Sequence, residues 1–183
     1  MANNLFELYL EDDADSFVVG TAVAETPQQL LIVSIDDNGQ VDSVELIGRA
    51  HVSKIVTDTT YLEFCQSMIA ENKAVNAFDP FQLAEQLPTS WQSMDRLLTE
   101  CQNERRLISL VTDSEIYTGH VSLISAHQIG LQLVDFESLS FGAPTLIDKS
   151  DVMVIDYVSR QNNYVTKYWQ HKGQKPKKDW FYH

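Results

Sequence analysis

The chain has 183 residues, of which 44% are hydrophobic and 21% are charged, a composition that is typical of a globular protein and excludes a disordered one. Its net charge of −13 is unevenly spread: residues 1–164 carry eight basic and 25 acidic side chains, a net charge of −17, whereas residues 165–183 carry five lysines and one aspartate. An acidic body of this kind repels phosphate backbones and anionic membranes. We therefore expect no membrane partner and treat nucleic acid as a less favoured alternative to a protein.

The chain shows no targeting or membrane-spanning signal. Its start, Met1–Glu7, lacks the basic and apolar regions of a signal peptide, and no apolar run approaches the roughly 20 residues that cross a bilayer. Cys65 and Cys101 have neither metal-ligand spacing nor a disulfide pattern, and we interpret them as small core residues. The sequence therefore predicts a reduced, cytoplasmic protein without a metal or a cofactor.

The first part of the chain has the pattern of short strands. Apolar and β-branched segments predict strands at 5–10, 17–24, 30–35, 41–47 and 52–56. The acidic segment Glu11–Asp15 separates the first two; it lacks the spaced oxygen ligands and the glycine of a calcium-binding loop, so we interpret it as a solvated turn. Asp36–Gly39 contains Asn-Gly, a strong signal for a tight hairpin.

The middle of the chain changes to helical spacing, and strands then return. Leu62, Cys65, Met68 and Ile69 recur at intervals of three and four, and so do Met94, Leu97, Leu98 and Cys101, which predicts helices between residues 61 and 105. Strands are predicted at 107–111, 116–124, 129–134, 139–147 and 152–158, with turns at 112–114 and 141–144. From residue 161 the chain becomes first aromatic and then basic.

The two stretches rich in strands align with each other. Gly20 falls on Gly119, Gln29 on Gln128 and Asp36 on Asp135 at a shift of 99, and Val52 and Ile55 then fall on Val152 and Ile155 at a shift of 100. An internal repeat of this length predicts two folding units of one type.

Each unit resembles the Sm-like form of the small SH3-type barrel. The residues that carry the resemblance are a glycine inside an apolar second strand, in Val18–Ala22 and in Tyr117–Val121. A strand that bends sharply favours a residue without a Cβ at the bend. The resemblance implies RNA binding through an Asp and an Asn around the turn after that strand, but the stretches 24–29 and 124–129 both lack that pair. It therefore supports a fold rather than the function usual in the family.

The predicted fold is mainly β with α: two tandem five-stranded Sm-like barrels joined by a helical segment. The predicted domains are a first barrel at 1–58, a helical connector at 59–104, a second barrel at 105–160 and an aromatic, basic C-terminal tail at 161–183.

The sequence offers few candidates for metal binding or catalysis. His120 and His127 could approach each other and bind a metal with Asp113 or Glu115, but histidines in strands and turns more often bind nothing, so we expect no metal site. Ser53, Ser109 and Ser122 are not in a nucleophile elbow, and no glycine-rich loop precedes a helix. We therefore predict no catalytic residues.

The C-terminal tail is the candidate binding segment. Lysines among aromatic rings could dock on the acidic body of the same or a neighbouring subunit, could form a disordered tail, or could bind single-stranded nucleic acid. We favour docking because the charges are opposite. The predicted binding residues are Trp169, Lys172, Lys175, Lys177, Lys178 and Trp180.

The sequence thus predicts a non-enzymatic binding or adaptor module whose partner is a protein, either another copy of the chain or a different one. An extended peptide added to an exposed strand edge is the expected mode of binding. RNA binding through the tail and an enzyme with a site between the barrels are the alternatives.

Overall fold

The computed structural model describes residues 4–10 and 17–172. The strands of this part are β1 (Leu5–Leu10), β2 (Val18–Glu25), β3 (Gln29–Ile35), β4 (Val41–Gly48), β5 (Val52–Val56), β6 (Leu107–Val111), β7 (Ile116–Ile124), β8 (Gln128–Asp135), β9 (Ser140–Asp148) and β10 (Val154–Ser159). The helices are α1 (Thr60–Ala74), α2 (Met94–Glu104) and α3 (Arg160–Lys172).

The predicted elements are confirmed, with one exception among the turns. Each predicted strand is present, and so are both helices between the two sets of strands. The predicted turn at 141–144 is wrong because these residues lie within β9; the chain turns at 136–139 instead, where Leu139 has a positive φ of 50°. The predicted turn Glu11–Asp15 lies outside the described residues.

The prediction of two five-stranded barrels is wrong. All ten strands form one open antiparallel sheet in the order β5-β1-β2-β3-β4-β10-β6-β7-β8-β9. A barrel in the first half would require β4 to pair with β5, but β4 pairs with β10 of the second half, in the register Glu45 to Asp156 and Leu46 to Ile155. Because the edge that would close the first half joins the second half instead, neither half closes.

The two halves of the sheet nevertheless share their strand order and much of their register. In each half the fifth strand lies beside the first, and the other strands follow in sequence. In the first half Gln29 pairs with Gly48, and in the second half Gln128 pairs with Asp148. Short 3-10 turns at Arg49–His51 and Lys149–Asp151 precede β5 and β10 at the same shift of 100 residues.

One large core connects both halves with the segment between them. Side chains from α1, α2 and the 3-10 turn Leu83–Glu85 pack on one face of the sheet, against strands of both halves. Thr59 starts α1 because its hydroxyl accepts a hydrogen bond from the Leu62 backbone N–H at 3.1 Å. The connecting segment is therefore part of the common core rather than a linker between two separate cores.

The helix α3 covers part of the opposite face. Successive strand residues point to opposite faces of a sheet. On β6, Ile108 belongs to the core under α1 and α2, whereas Leu107 clusters with Val165 and Trp169 of α3. The surface beside α3 on this second face carries the candidate site.

Candidate binding groove

A groove of about 570 Å³ opens where strands from the two halves come together. It lies between β1 and β2 on one side and the hairpin between β6 and β7 on the other. The residues that line it are Leu8, Leu10, Phe17, Val18, Val111, Thr112, Asp113, Ser114, Glu115, Ile116 and Met153. We call this surface the groove.

The floor of the groove is apolar and its rim presents exposed apolar side chains. Leu8 is fully buried and Met153 is 8% exposed, so both are fixed in the protein interior. Ile116, by contrast, is 69% exposed at the rim. An exposed β-branched side chain beside an apolar concavity is a common feature of binding surfaces.

Phe17 forms one wall, and neighbouring rings hold it in place. Its ring centroid lies 5.3 Å from that of Tyr9 and 5.4 Å from that of Tyr61, the second contact being edge-to-face. Aromatic pairs of this geometry add about 0.5–1.5 kcal/mol to the burial of the rings. The wall is therefore ordered before any ligand arrives.

The opposite wall is a hydrogen-bonded turn that carries two acids. The Thr112 hydroxyl accepts from the Glu115 backbone N–H at 3.1 Å and donates to the Glu115 carbonyl oxygen at 3.0 Å. The Thr112 N–H donates to the same carbonyl at 3.0 Å. These bonds fix the loop that displays Asp113 and Glu115 at the rim.

The charge of the groove is negative. Asp113 and Glu115 are the charged side chains among its described lining residues, which include no lysine, arginine or histidine. An apolar floor with an acidic rim suits a ligand that is both cationic and apolar.

The lining of the groove also includes two hydroxyl side chains. Ser114 and Thr112 are the hydroxyl side chains on its described lining, and the Thr112 hydroxyl is engaged within its own turn. The Ser114 hydroxyl lies 3.4 Å from the Thr112 hydroxyl.

A second unusual feature is a pair of acids where the halves of the sheet join. Glu45 of β4 lies opposite Asp156 of β10. One oxygen of Glu45 accepts a hydrogen bond from the Ser43 hydroxyl, and its Oε2 is buried without a partner. Burial raises the pKa of Glu45. Burial, followed by the charges of Glu45 and Asp42, raises the pKa of Asp156 well above its usual range.

The same junction contains an arginine that ties α3 to the first half. Arg160 donates from Nη1 to Asp36 Oδ2 at 2.7 Å and from Nη2 to the Val41 carbonyl oxygen at 2.6 Å. Burial raises the pKa of Asp36, but hydrogen bonds from the Gln40 backbone and from Arg160 outweigh that effect, so its pKa is lowered overall. Arg160 thus compensates the charge of Asp36. Among residues 4–10 and 17–172, no ion pair involves Glu45 or Asp156.

Two of the six predicted tail residues, Trp169 and Lys172, lie in the described part of the chain. Trp169 is 5% exposed; its Nε1 donates to the Leu139 carbonyl oxygen at 3.0 Å, and its ring lies 4.7 Å from that of Phe141. Lys172 is exposed at the end of α3. The other predicted tail residues lie outside the described part of the chain: Lys175, Lys177, Lys178 and Trp180. Docking of the tail therefore stays a prediction.

The two histidines considered as metal ligands have different surroundings. His120 is buried beneath α3, with its ring 4.9 Å from that of Phe141, and burial lowers its pKa. His127 is exposed in the turn before β8. Within residues 4–10 and 17–172, no three His, Cys, Asp or Glu side chains come together as a metal site.

A second, more polar hollow of about 410 Å³ lies beside α2. Its most buried acid, Glu100, is already engaged: it accepts hydrogen bonds from the Thr89 hydroxyl at 2.7 Å and the Tyr157 hydroxyl at 2.9 Å. These bonds lower the pKa of Glu100 despite its burial. A carboxylate held in this way is suited to fixing the loop at residues 89–90 rather than to proton transfer.

Comparison with protein-family models, curated proteins and solved structures found no match to this chain. The resemblance to Sm-like proteins therefore stays a prediction, as does a cytoplasmic location. In the part of the chain that the structure describes, no helix is both long and apolar enough to cross a membrane.

Proposed function

We propose that this protein is a binding module whose groove receives an extended segment of a partner protein that carries cationic and apolar side chains. The observation that carries the proposal is the combination of a buried apolar floor with Asp113 and Glu115 at the rim and no cation on the described lining. Apolar side chains of the ligand would supply affinity, and its cations would supply orientation and a faster encounter.

Addition of a peptide to a free strand edge is the less favoured route. The outer strands of the sheet are β5 and β9. Pro144 lies within β9 and has no backbone N–H to donate, and β5 has only five residues, including the exposed Lys54. Proline, lysine and short length are the usual means by which proteins protect a sheet edge from pairing.

A binding assay with the full-length chain and a fluorescein-labelled peptide of sequence KFKWKFK tests the proposed function of the groove. We expect saturable binding with a Kd on the order of 10–100 µM at 0.15 M salt, because a few buried rings must offset the cost of ordering the peptide. Two control peptides separate the contributions: EFEWEFE reverses the charge, and KSKSKSK removes the rings. Both should bind at least tenfold more weakly.

Substitutions in the groove test whether the peptide binds there. Asp113→Lys with Glu115→Lys should weaken binding of KFKWKFK roughly tenfold, because it reverses the charge of the rim. Ile116→Ser should weaken it by removing an apolar contact. The matched controls are Glu137→Lys, an exposed acid on the β8–β9 turn, and Leu146→Ser, a 55% exposed residue on β9. Equal affinity for all variants, or equal binding of the three peptides, would contradict the proposal.

A further inference from the structure

We infer that in the free protein the groove is occupied by the chain's own C-terminal segment, residues 173–183. This inference rests on the proposed function, since it names an occupant for the same groove. Three features carry it: the position from which the segment leaves the fold, its length, and its chemistry.

The segment leaves the fold on the face that contains the groove. On β6, Leu107 packs in the cluster of Trp169 and α3, and Val111 lines the groove. These two residues are four apart, so their side chains share a face and their positions are separated by roughly 13 Å along the strand. The anchor of α3 and the groove are therefore neighbours on one surface.

The remaining chain is long enough to reach the groove. α3 ends at Lys172, and 11 residues follow. An extended chain spans at most about 3.3–3.6 Å per residue, so these residues reach roughly 36–40 Å. The buried Trp169, held by its hydrogen bond to Leu139, fixes the starting point of that reach.

The chemistry of the segment matches the groove in sign and in polarity. It carries Lys175, Lys177 and Lys178, followed by Trp180, Phe181 and Tyr182, with Asp179 as its single acid. The groove offers an apolar floor with Asp113 and Glu115 at its rim. A peptide with cations and rings in adjacent positions is the ligand class that the proposed function assigns to this surface.

Tethering gives the segment an advantage over an external ligand. A short linker holds a ligand at an effective concentration on the order of 1 mM. If the free segment bound with a Kd of about 100 µM, the tethered segment would occupy the groove about nine-tenths of the time. The apparent affinity of an external peptide would then be roughly tenfold lower. The tail would then act as a competitor that a true partner must displace.

The first test locates the tail directly. A spin label at Asp179→Cys keeps the lysines and rings, and the native Cys65 and Cys101 are buried, which favours labelling at the new site. We expect the label to broaden the methyl signals of Leu10, Val18 and Val111 in the groove and not those of Leu146 on β9. The Asp113→Lys/Glu115→Lys background should abolish the effect. Absence of broadening in the groove overturns the inference.

A mixed sample distinguishes the chain's own tail from that of a second copy. Spin-labelled chain without isotopes is mixed with isotope-labelled chain without a spin label. The inference predicts no broadening in this mixture at 50 µM protein. Broadening of the groove signals in the mixture overturns it in favour of an interface between copies.

The second test measures competition in the full-length chain. Lys175→Glu/Lys177→Glu/Lys178→Glu removes the charges, and Trp180→Ala/Phe181→Ala/Tyr182→Ala removes the rings. Each variant should bind KFKWKFK about tenfold more tightly than the native chain. Unchanged binding of the peptide to both variants refutes the inference but leaves the proposed function standing. A tail that occupies the groove while no peptide binds to any variant supports the inference and refutes the proposed function.

Discussion

Glu45 and Asp156 face each other across β4 and β10, the strand pair that joins the two halves of the sheet. Both acids lie inside otherwise apolar strand segments, and burial is the largest cause of the raised pKa of each. The junction that makes the sheet continuous therefore contains two carboxyl groups that resist ionisation together.

Because the pKa values of Glu45 and Asp156 are raised, we predict that the protein loses stability as pH rises. A carboxyl group with a raised pKa holds its proton more tightly in the folded than in the unfolded chain. The protonated carboxyl group therefore contributes fully to the free energy of unfolding below its pKa in the unfolded chain, about 4. This contribution is lost as pH rises through its pKa in the folded chain. We expect the part of the unfolding free energy due to this pair to fall as pH rises above about 4.

Glu45→Gln should remove much of that dependence. The amide is neutral at every pH, so it removes the charge that Glu45 would otherwise place beside Asp156. At pH 8 we expect the variant to be more stable than the native chain by about 1–3 kcal/mol, the usual cost of a buried polar group without a partner. At pH 4 the difference should be small. Urea unfolding at both pH values measures it, with Glu71→Gln on the exposed face of α1 as control.

Gly119→Val and Gly20→Val should both destabilise the fold. A Cβ at Gly20 would lie 2.9 Å from the Val33 carbonyl oxygen, and one at Gly119 would lie 2.8 Å from the Gln132 carbonyl carbon and closer still to its oxygen. Because the obstructing atoms are backbone, we expect losses of about 1–3 kcal/mol, with the larger loss at Gly119.

Gly142→Val is the matched control for the glycine variants. A Cβ at that position would find its nearest neighbour, the Leu133 carbonyl oxygen, at 3.9 Å. Its melting temperature should stay within about 2 °C of the native value, which corresponds to less than 1 kcal/mol. Equal melting temperatures for all three variants would refute the close-approach explanation.

We predict that Trp169 contributes most of the packing that holds α3 on the sheet. Trp169→Ala removes a buried ring system, and we expect a loss of about 3–5 kcal/mol. Trp169→Phe keeps most of the apolar contact with Phe141 and loses the hydrogen bond to the Leu139 carbonyl oxygen, which predicts a loss of about 1 kcal/mol. Thermal unfolding measures both, and a smaller loss for Ala than for Phe would contradict this role.

Generic RNA should bind only weakly. Residues 1–164 have a net charge of −17, and the basic residues of the tail number five. A 20-nucleotide single strand should therefore show a Kd above about 100 µM at 0.15 M salt. Tight binding that falls steeply with added salt would instead support RNA as the partner. The tail-lysine variant serves as the control.

Local structure was predictable from the sequence, but the association of the strands was not. Alternating and β-branched runs marked all ten strands, and Asn38-Gly39 marked a hairpin in which Gly39 has a φ of +71°. The pairing of β4 with β10 joins residues more than 100 positions apart. No local pattern separates that pairing from closure within one half, which is why the prediction of barrels was wrong.

The candidate site was hidden from sequence reasoning for a related reason. Leu8 and Val111 lie in strands from different halves and have no local signal that links them. Glu45 did carry a signal, since it stands within Val44–Ile47, an otherwise apolar run, and Asp156 is set in Val154–Val158 in the same way. An acid among consecutive apolar strand residues indicates burial, and here it marks the junction of the halves.

Methyl NMR of the full-length chain during titration with KFKWKFK tests the central claim most directly. The account predicts shifts that saturate with peptide at Leu8, Leu10, Val18, Val111 and Met153, and none at Ile55 of β5 or Leu146 of β9. The Asp113→Lys/Glu115→Lys chain should require roughly ten times more peptide for the same shifts. Shifts centred on Ile55 or Leu146, or no saturable shift at up to 1 mM peptide, would contradict the assignment of the groove as the binding site.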